Sequence, residues 1–324
     1  MSKALKLILI LFLIFAGPKA ALADWPDSEL TIITSMPENL PWGAPNPQAQ
    51  ALRNLLPRLS RELGVPVKLE FKPDGHGIAA ANAVASGRLD GYLAGALEAD
   101  PAMSLVIQGY TPYLRAELYP LATGWTQIMA IVVAADNPAG DLAALAALNK
   151  PLKLARADEP PISSATVLAI EAAASAGFTW QMVQVPDLDP AHVLSGKAEA
   201  MVLPLGWLAA HPRAGELKVA AVIAADAPPP CLEALPNTPA FIPPAGSQPL
   251  FAFYLPNRVN WRARNILSTA LNNALKVPAM IEDLESVCQK THLEGLEGAA
   301  YFLGDQYDAL REALIRYGFE VADE

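Results

Sequence analysis

Residues 67–78 read VKLEFKPDGHGI, and this stretch decides the fold class. Apolar and charged side chains alternate over its first six positions, which is the period-two pattern of a β-strand. Gly75 and Gly77 then permit a sharp turn, and an alanine-rich helical pattern begins at Ile78. A strand that passes through a glycine turn directly into a helix is the building unit of parallel α/β sheets.

The same alternation of strands and helices extends on both sides of this unit. The pattern predicts a strand over Leu30–Ser35, an amphipathic helix over Gln48–Leu63 and a strand over Asp90–Ala96. Strands separated by helices in this way predict a parallel sheet with right-handed crossovers. An apolar strand over Ile128–Ala135 then opens a second set of strands and helices, which extends to Ala225. Two sets of similar size predict two lobes.

The final part of the chain returns to the first lobe in this prediction. A proline-rich segment, Pro228–Pro249, is followed by a strand over Leu250–Leu255 and by three helices, Arg262–Lys276, Pro278–Gln289 and Glu297–Tyr317. A helical block needs a sheet to cover, so we expect these helices to pack on the first lobe. The predicted lobes are residues 24–126 with 246–324, and residues 127–245. This is a two-lobe α/β plan in which closure about a hinge buries a ligand.

The N-terminus has the pattern of a secretory signal peptide. Lys3 and Lys6 precede an apolar run of ten residues, Leu7–Ala16, and Ala21-Leu22-Ala23 supplies a small-x-small cleavage site. The alternative is a membrane anchor. As a helix, however, the ten apolar residues would be about 15 Å long, which is roughly half the thickness of a bilayer's hydrocarbon core. We predict cleavage after Ala23 and a periplasmic mature protein.

The net charge and the spacing of histidines and cysteines argue against several functions. The net charge is −10 and there is no basic run, which disfavours binding to nucleic acid or to anionic membranes. The four histidines stand far apart and there is no Cys-x-x-Cys, so we expect neither a metal nor another cofactor. Cys231 and Cys288 could pair in an oxidising compartment, but the sequence does not place them within bridging distance.

Two loops at strand ends are candidate anion sites. The turn Gly75-His76-Gly77 offers consecutive backbone N–H groups at a helix start, which suits a carboxylate without any basic side chain. Its alternative interpretation is a tight strand–helix connection. In the loop after the strand at Leu152–Ala155, Ser163 and Ser164 are N-cap candidates that could face a ligand, and Arg156 either pairs with an anion or is solvated.

Other features give weaker signals. Asp187 follows a strand and either faces the ligand or caps a helix, while Trp42 and Trp125 lie beside strand ends and either wall the cleft or belong to the core. The spacing Gly75-x-Gly77-x-x-Ala80 fits a loose dinucleotide motif, but the preceding strand alternates where that motif needs a continuously apolar one. There is no Gly-x-Ser-x-Gly elbow, so we predict a binding protein and not an enzyme.

Several short runs, in order along the chain, resemble the extracytoplasmic solute receptors of tripartite tricarboxylate transporters, often called Bug proteins. Asp90-Gly91-Tyr92 is the most specific of them. The others are WPD at 25–27 with LTII at 30–33, LGVPV at 63–67, KPDGHG at 72–77, VQVP at 183–186 and LSGKAEA at 194–200.

The resemblance implies a type II periplasmic binding protein with two Rossmann-like lobes. It implies a small organic acid whose carboxylate is held by backbone amides of two first-lobe loops, Met36–Gln48 and Asp74–Gly77, opposite Ser163 and Ser164. It also implies a partner, an integral membrane transporter of two subunits, and we expect the receptor to be a monomer. The candidate ligand-binding residues are Met36, Trp42, Gln48, Asp74, Gly75, His76, Gly77, Trp125, Arg156, Ser163, Ser164 and Asp187.

The first of these loops departs from the family pattern. Where the family is rich in glycine, this chain reads MPENLPWGAPNP at 36–47, and prolines have no N–H to donate. The ligand is therefore expected to be larger, more apolar or less anionic than citrate. Two other functions remain open from the sequence: a ligand-sensing partner of a sensor kinase, and a secreted α/β enzyme.

Overall fold

The computed structural model describes residues 25–157, 161–223, 231, 240–241 and 249–322. The predicted signal peptide and most of the proline-rich segment lie outside these residues. In the described part of the chain, we find no helix with the length and hydropathy needed to span a bilayer.

Strands and helices alternate through most of the described chain. The strands are β1 (Leu30–Thr34), β2 (Val67–Phe71), β3 (Leu93–Glu98), β4 (Leu118–Gln127), β5 (Met129–Ala134), β6 (Leu152–Arg156), β7 (Trp180–Gln184), β8 (Ala200–Pro204), β9 (Leu217–Ile223), β10 (Ala240–Phe241), β11 (Leu250–Pro256) and β12 (Gln289–Thr291). The α-helices are α1 (Pro47–Leu63), α2 (Ile78–Ala85), α3 (Leu105–Ile107), α4 (Leu142–Ala147), α5 (Ser164–Ser175), α6 (Ala191–Leu194), α7 (Leu205–Ala209), α8 (Trp261–Leu275), α9 (Pro278–Ser286) and α10 (Leu296–Arg316). A π-helical turn, Asp100–Ser104, precedes α3.

The strands form two six-stranded sheets, one in each lobe. The first has the order β12-β4-β11-β3-β1-β2 and the second β10-β9-β5-β8-β6-β7. The chain leaves the first sheet after Gln127, enters the second at Met129, and returns with β11. As predicted, β1 pairs in parallel with β2 and β3. In contrast, β11 runs antiparallel to both of its neighbours, so the first sheet is mixed.

Helix α1 shows how local sequence sets the elements of the first lobe. Asn46 caps its start by accepting the Gln48 N–H, and Gly64 ends it in the left-handed conformation with φ 71°. Pro57 does not divide this helix of 17 residues. Its buried face carries leucines at 52, 55, 59 and 63, which pack on the first sheet with α8 and α9.

Several elements were not predicted from the sequence, and β4 and α7 show two reasons for this. Strand β4 contains Pro120 and Gly124, which normally interrupt strands and hide its periodicity. Its pairing with β11 has two register shifts, and Gly124 lets the Phe251 carbonyl and the Phe253 ring approach its backbone closely. Helix α7 has only five residues and follows β8 directly, too short a segment for a helical period to be recognised.

Candidate ligand-binding cleft

A cavity of about 460 Å³ lies between the two sheets, at the carboxyl ends of their parallel strands. Its walls include residues that follow β1, β2 and β3 in the first lobe and β6, β7 and β8 in the second. Open α/β sheets bind ligands at this edge, because the loops there can vary without disturbing the sheet. The cavity is therefore the candidate site.

A second cavity, of about 720 Å³, lies within the first lobe. Its walls are formed by residues 102–120 together with β11 and α10, and include Tyr113, Tyr254 and Tyr307. We place the candidate site in the smaller cavity because only that one is lined by both lobes and by the loops that follow parallel strands.

Half of the twelve candidate residues line the interlobe cavity. They are Gly75, His76, Arg156, Ser163, Ser164 and Asp187. The other candidates, which are Met36, Trp42, Gln48, Asp74, Gly77 and Trp125, do not line it.

The glycine turn presents two residues to the cavity, and Gly77 has another role. Gly75, His76 and Gly77 all have positive φ, at 61°, 55° and 84°. The N–H of Gly77 donates to the Pro73 carbonyl at 2.9 Å, so it is not part of a cradle of three open amides as expected. Gly77 is buried, and a Cβ added there would lie 2.5 Å from the Ser35 Cβ. It is thus a close-packing position between the loops after β1 and β2.

The loop before α1 contacts the second lobe beside the cavity. The Trp42 indole donates to the Ala210 carbonyl at 3.3 Å and packs edge-on against His211. The Gln48 carbonyl oxygen accepts from the Trp207 indole at 3.3 Å. The expectation that Trp42 and Gln48 line the cavity is therefore corrected, because their polar groups bridge the lobes.

Met36, Asp74 and Trp125 are also placed away from the cavity. Met36 and Trp125 are fully buried in the first-lobe core, where Trp125 stacks on Phe251 with ring centroids 4.2 Å apart. Asp74 is exposed, and its carbonyl accepts the Ala79 N–H at 3.2 Å at the start of α2. Of the two interpretations of Trp125, as a cleft wall or as a core residue, the second is correct, because the face of β4 that carries Trp125 packs against the helices of the first lobe.

On the second lobe, Ser163 caps α5 as predicted: its hydroxyl accepts the Thr166 N–H at 3.2 Å. The Ser164 N–H donates to the Asp100 carboxylate at 2.7 Å, so a first-lobe acid occupies this helix start. Arg156 differs from these groups because, within the described residues, its guanidinium makes no hydrogen bond or ion pair. Arg156 is therefore the group most open to a ligand anion.

Asp187 serves partly as a turn residue. Its carboxylate accepts the Asp189 N–H at 3.1 Å and contacts His192 Nε2 at 2.9 Å. Asp187 also lines the cavity, but it does not cap α6, whose N-cap is Pro190 and has no side-chain capping hydrogen bond.

Sequence reasoning missed two acids and two of their neighbours in the cavity wall. Glu98 is the last residue of β3 and Asp100 follows it, and Gln127 and Trp207 lie beside them in the wall. The Gln127 amide donates to the Glu98 carboxylate at 2.9 Å. Glu98 is partly accessible from the cavity and otherwise surrounded by protein. Burial raises the pKa of its carboxyl to about 7; the Gln127 hydrogen bond opposes this rise and the charge of Asp100 adds to it.

The raised pKa predicts that Glu98 destabilises the folded protein at high pH. The folded protein holds the proton more tightly than the unfolded chain, whose value is near 4.5, so stability falls as pH rises from about 4.5 to about 7. We expect Glu98→Gln to raise the free energy of unfolding at about pH 8 by about 2–3 kcal/mol and to change little at about pH 4. Urea denaturation at both pH values measures this difference.

Glu70 provides the matched control for that experiment. Its carboxylate pairs with Lys68 at 3.2 Å outside the cavity. Glu70→Gln should therefore show no stabilisation at high pH. An equal gain for both variants would mean that the general reduction of negative charge, and not the burial of Glu98, causes the effect.

The lobes contact each other at several places around the cavity. Ile162 of the second lobe accepts from Ser104 and Gln108 at 2.6 and 2.8 Å, and its N–H donates to the Gln108 carbonyl oxygen at 2.8 Å. A disulfide joins Cys231 to Cys288, which settles the pairing that the sequence left open. The structure therefore holds the lobes together by both covalent and hydrogen bonds.

No metal site accompanies this arrangement. Across residues 25–157, 161–223, 231 and 249–322, no group of three or more His, Cys, Asp or Glu side chains is arranged to hold a metal ion.

Comparison with known proteins gives a family and a fold. The model of the tripartite tricarboxylate transporter family receptor matches residues 51–308. A UPF0065 protein of Bordetella bronchiseptica is 27% identical over 213 residues, which cover 63% of this chain and 61% of that protein. The chain thus aligns with less than two thirds of this relative's length.

Solved structures share the architecture at low identity. R. palustris Rpa4515 with adipate has a TM-score of 0.75 at 16% identity, covering 92% of this chain and 99% of that one. The periplasmic binding protein BugD has 0.71 at 17%, covering 91% and 99%. MatC from Rhodopseudomonas palustris with bound malate has 0.70 at 16%, covering 90% and 100%. These likenesses confirm the predicted two-lobe α/β fold.

Proposed function

The chain belongs to the tripartite tricarboxylate transporter receptor family, and from that premise we propose that it is a periplasmic solute receptor. In this proposal it holds a small organic acid between its lobes and delivers it to a two-subunit membrane transporter. The observation that carries the proposal is the cavity at the strand ends of both sheets, with Arg156 in its wall and no ion-pair partner for it in the described part of the chain. The bound malate and adipate of structures with this fold support the choice of a carboxylate.

The cavity's position explains how binding would act on the lobes. Gly75 and His76 approach a solute from the first lobe, and Arg156 approaches it from the second. A ligand that contacts both lobes stabilises the closed arrangement by as much as it prefers that arrangement over the open one. Because the chain carries a net charge of −10, an anion must be held by local donors against the overall field.

Removal of Arg156 tests the site. Charged hydrogen bonds contribute about 1.5–3 kcal/mol, so Arg156→Ala should weaken binding of an organic acid roughly ten- to hundredfold. Isothermal titration calorimetry with malate, adipate and citrate measures the change. Arg213→Ala is the control, because Arg213 pairs with Glu216 outside the cavity and its loss should leave affinity unchanged.

Two results would contradict this function. One is the absence of binding heat with every organic acid tested, amino acids included, and the other is an unchanged affinity in Arg156→Ala. Uptake of the bound acid by cells that lack the receptor gene tests delivery to the transporter, and we expect uptake to be lost.

The location and lobe boundaries belong to the same proposal. We propose export to the periplasm with cleavage after Ala23, and lobes formed by residues 24–126 with 246–324 and by residues 127–245. The division is supported by the passage of the chain between sheets at Gln127–Met129. N-terminal sequencing of the exported protein measures the cleavage site directly.

A further inference from the structure

The cavity wall contains more acidic than basic side chains. Glu98, Asp100 and Asp187 line it, whereas Arg156 is the only lysine or arginine among the described lining residues. His76 also lies in the wall. A plain dicarboxylate would bring two further negative charges into this space, where only one of them could pair with Arg156. The wall is thus poorly matched to a purely anionic solute.

Glu98 is the acid whose surroundings most clearly require a partner. The neutral Gln127 amide hydrogen-bonds to its carboxylate, and within the described residues Glu98 makes no ion pair. Asp100 and Asp187, in contrast, have protein donors: Asp100 accepts the Ser164 N–H, and Asp187 contacts His192. A carboxylate that is largely withdrawn from water is unfavourable unless a cation or several donors face it. The raised pKa of Glu98, which burial causes, agrees with the lack of a cationic side chain beside it among the described residues.

We propose that the cavity selects an acid that also carries a positively charged nitrogen, with the ammonium group at Glu98 and the carboxylate at Arg156. The class of ligand is therefore an amino acid or a similar zwitterion. This inference rests on the proposed receptor function and narrows its ligand. A zwitterion supplies one charge of each sign to a wall in which, among the described residues, neither the Glu98 carboxylate nor the Arg156 guanidinium has an ion-pair partner.

The direction of the pH dependence separates this proposal from its rival. In the rival arrangement, a protonated Glu98 donates a hydrogen bond to a ligand carboxylate, and affinity falls as pH rises through about 7. With an ammonium at Glu98, affinity rises over the same range, because the ionised carboxylate is the binding form. The other charged or titratable groups among the described residues of the wall are Asp100, His76, Arg156 and Asp187, so the contribution of Glu98 must be isolated by substitution.

The test uses the common amino acids and their 2-hydroxy counterparts, each pair differing in an ammonium against a hydroxyl. Thermal shift first finds the pairs that bind, and calorimetry at about pH 6 and about pH 8 then gives their affinities. At about pH 8, we expect the amino member of a binding pair to bind at least about tenfold more tightly than its 2-hydroxy counterpart. Glu98→Gln should abolish that preference while leaving the 2-hydroxy member bound. Glu38→Gln is the control, since Glu38 pairs with Arg53 outside the cavity.

The outcomes distinguish the two proposals. Binding of 2-hydroxy acids or dicarboxylates as tightly as amino acids, with no change of preference in Glu98→Gln, overturns the zwitterion inference and leaves the receptor function standing. If no member of either set and no dicarboxylate binds, the receptor function fails and the inference fails with it. A preference for the amino member that disappears in Glu98→Gln supports both.

Discussion

Gly77→Ala is expected to lower the free energy of unfolding by about 2–5 kcal/mol. A left-handed backbone costs a non-glycine residue about 1–2 kcal/mol, and Gly77 has φ 84°. Overpacking adds about 1–3 kcal/mol, because the new Cβ would lie 2.5 Å from the Ser35 Cβ and 3.0 Å from the Pro101 Cγ. Both neighbours line the cavity, so ligand affinity should fall as well. Urea denaturation and calorimetry measure the two effects.

Gly43 offers a control with the same backbone conformation. Its φ is also 84°, but no atom lies within 4 Å of the position that a Cβ would take. Gly43→Ala should therefore show only the backbone cost of about 1–2 kcal/mol. If the two variants lose equal stability, the close approach of Gly77 to Ser35 contributes nothing and our account of this glycine is wrong.

Loss of the disulfide should have an effect of similar size. Cys231 and Cys288 are 57 residues apart in the sequence. The chain-entropy model gives about 4 kcal/mol of stabilisation for a loop of this length. We expect the double variant Cys231→Ser with Cys288→Ser to lose this amount in urea denaturation.

Reduction of the unaltered protein provides the check on that result. A thiol reductant should destabilise it by the same amount and should not affect the double variant. A loss in the double variant without any loss on reduction would show that serine fits poorly at these positions and that the cross-link itself contributes little.

The sequence could predict elements whose signals are local. The alternation in β2, the glycines that follow it and the N-cap at Ser163 all report short-range geometry, and the structure agrees with each. Strand β4 could not be found in this way, because Pro120 and Gly124 break its pattern and its stability comes from pairing with β11, far along the chain.

The sequence predicted residues of the cavity wall only where it also predicted the end of the preceding strand. The loops after β2 and β6 were placed correctly, which brought Gly75, His76 and Arg156 to the cavity. Strand β3 was expected to end at Ala96 but extends to Glu98, so the acids at its true end were overlooked. The direction in which Trp125 points depends on the pairing of β4 with β11, which no local pattern encodes.

The two kinds of bond between the lobes have different mechanical consequences. Cys288 immediately precedes β12, whose Gln289 pairs with Gln127 at the point where the chain leaves the first sheet. The covalent link therefore pins that edge, whereas the hydrogen bonds at Ile162 can rupture. We expect the lobes to rotate about the disulfide-linked edge as a hinge and to separate at Ile162. The dissociation rate of a bound solute would then depend on how often the Ile162 hydrogen bonds break, so residues that do not contact the solute would control its release.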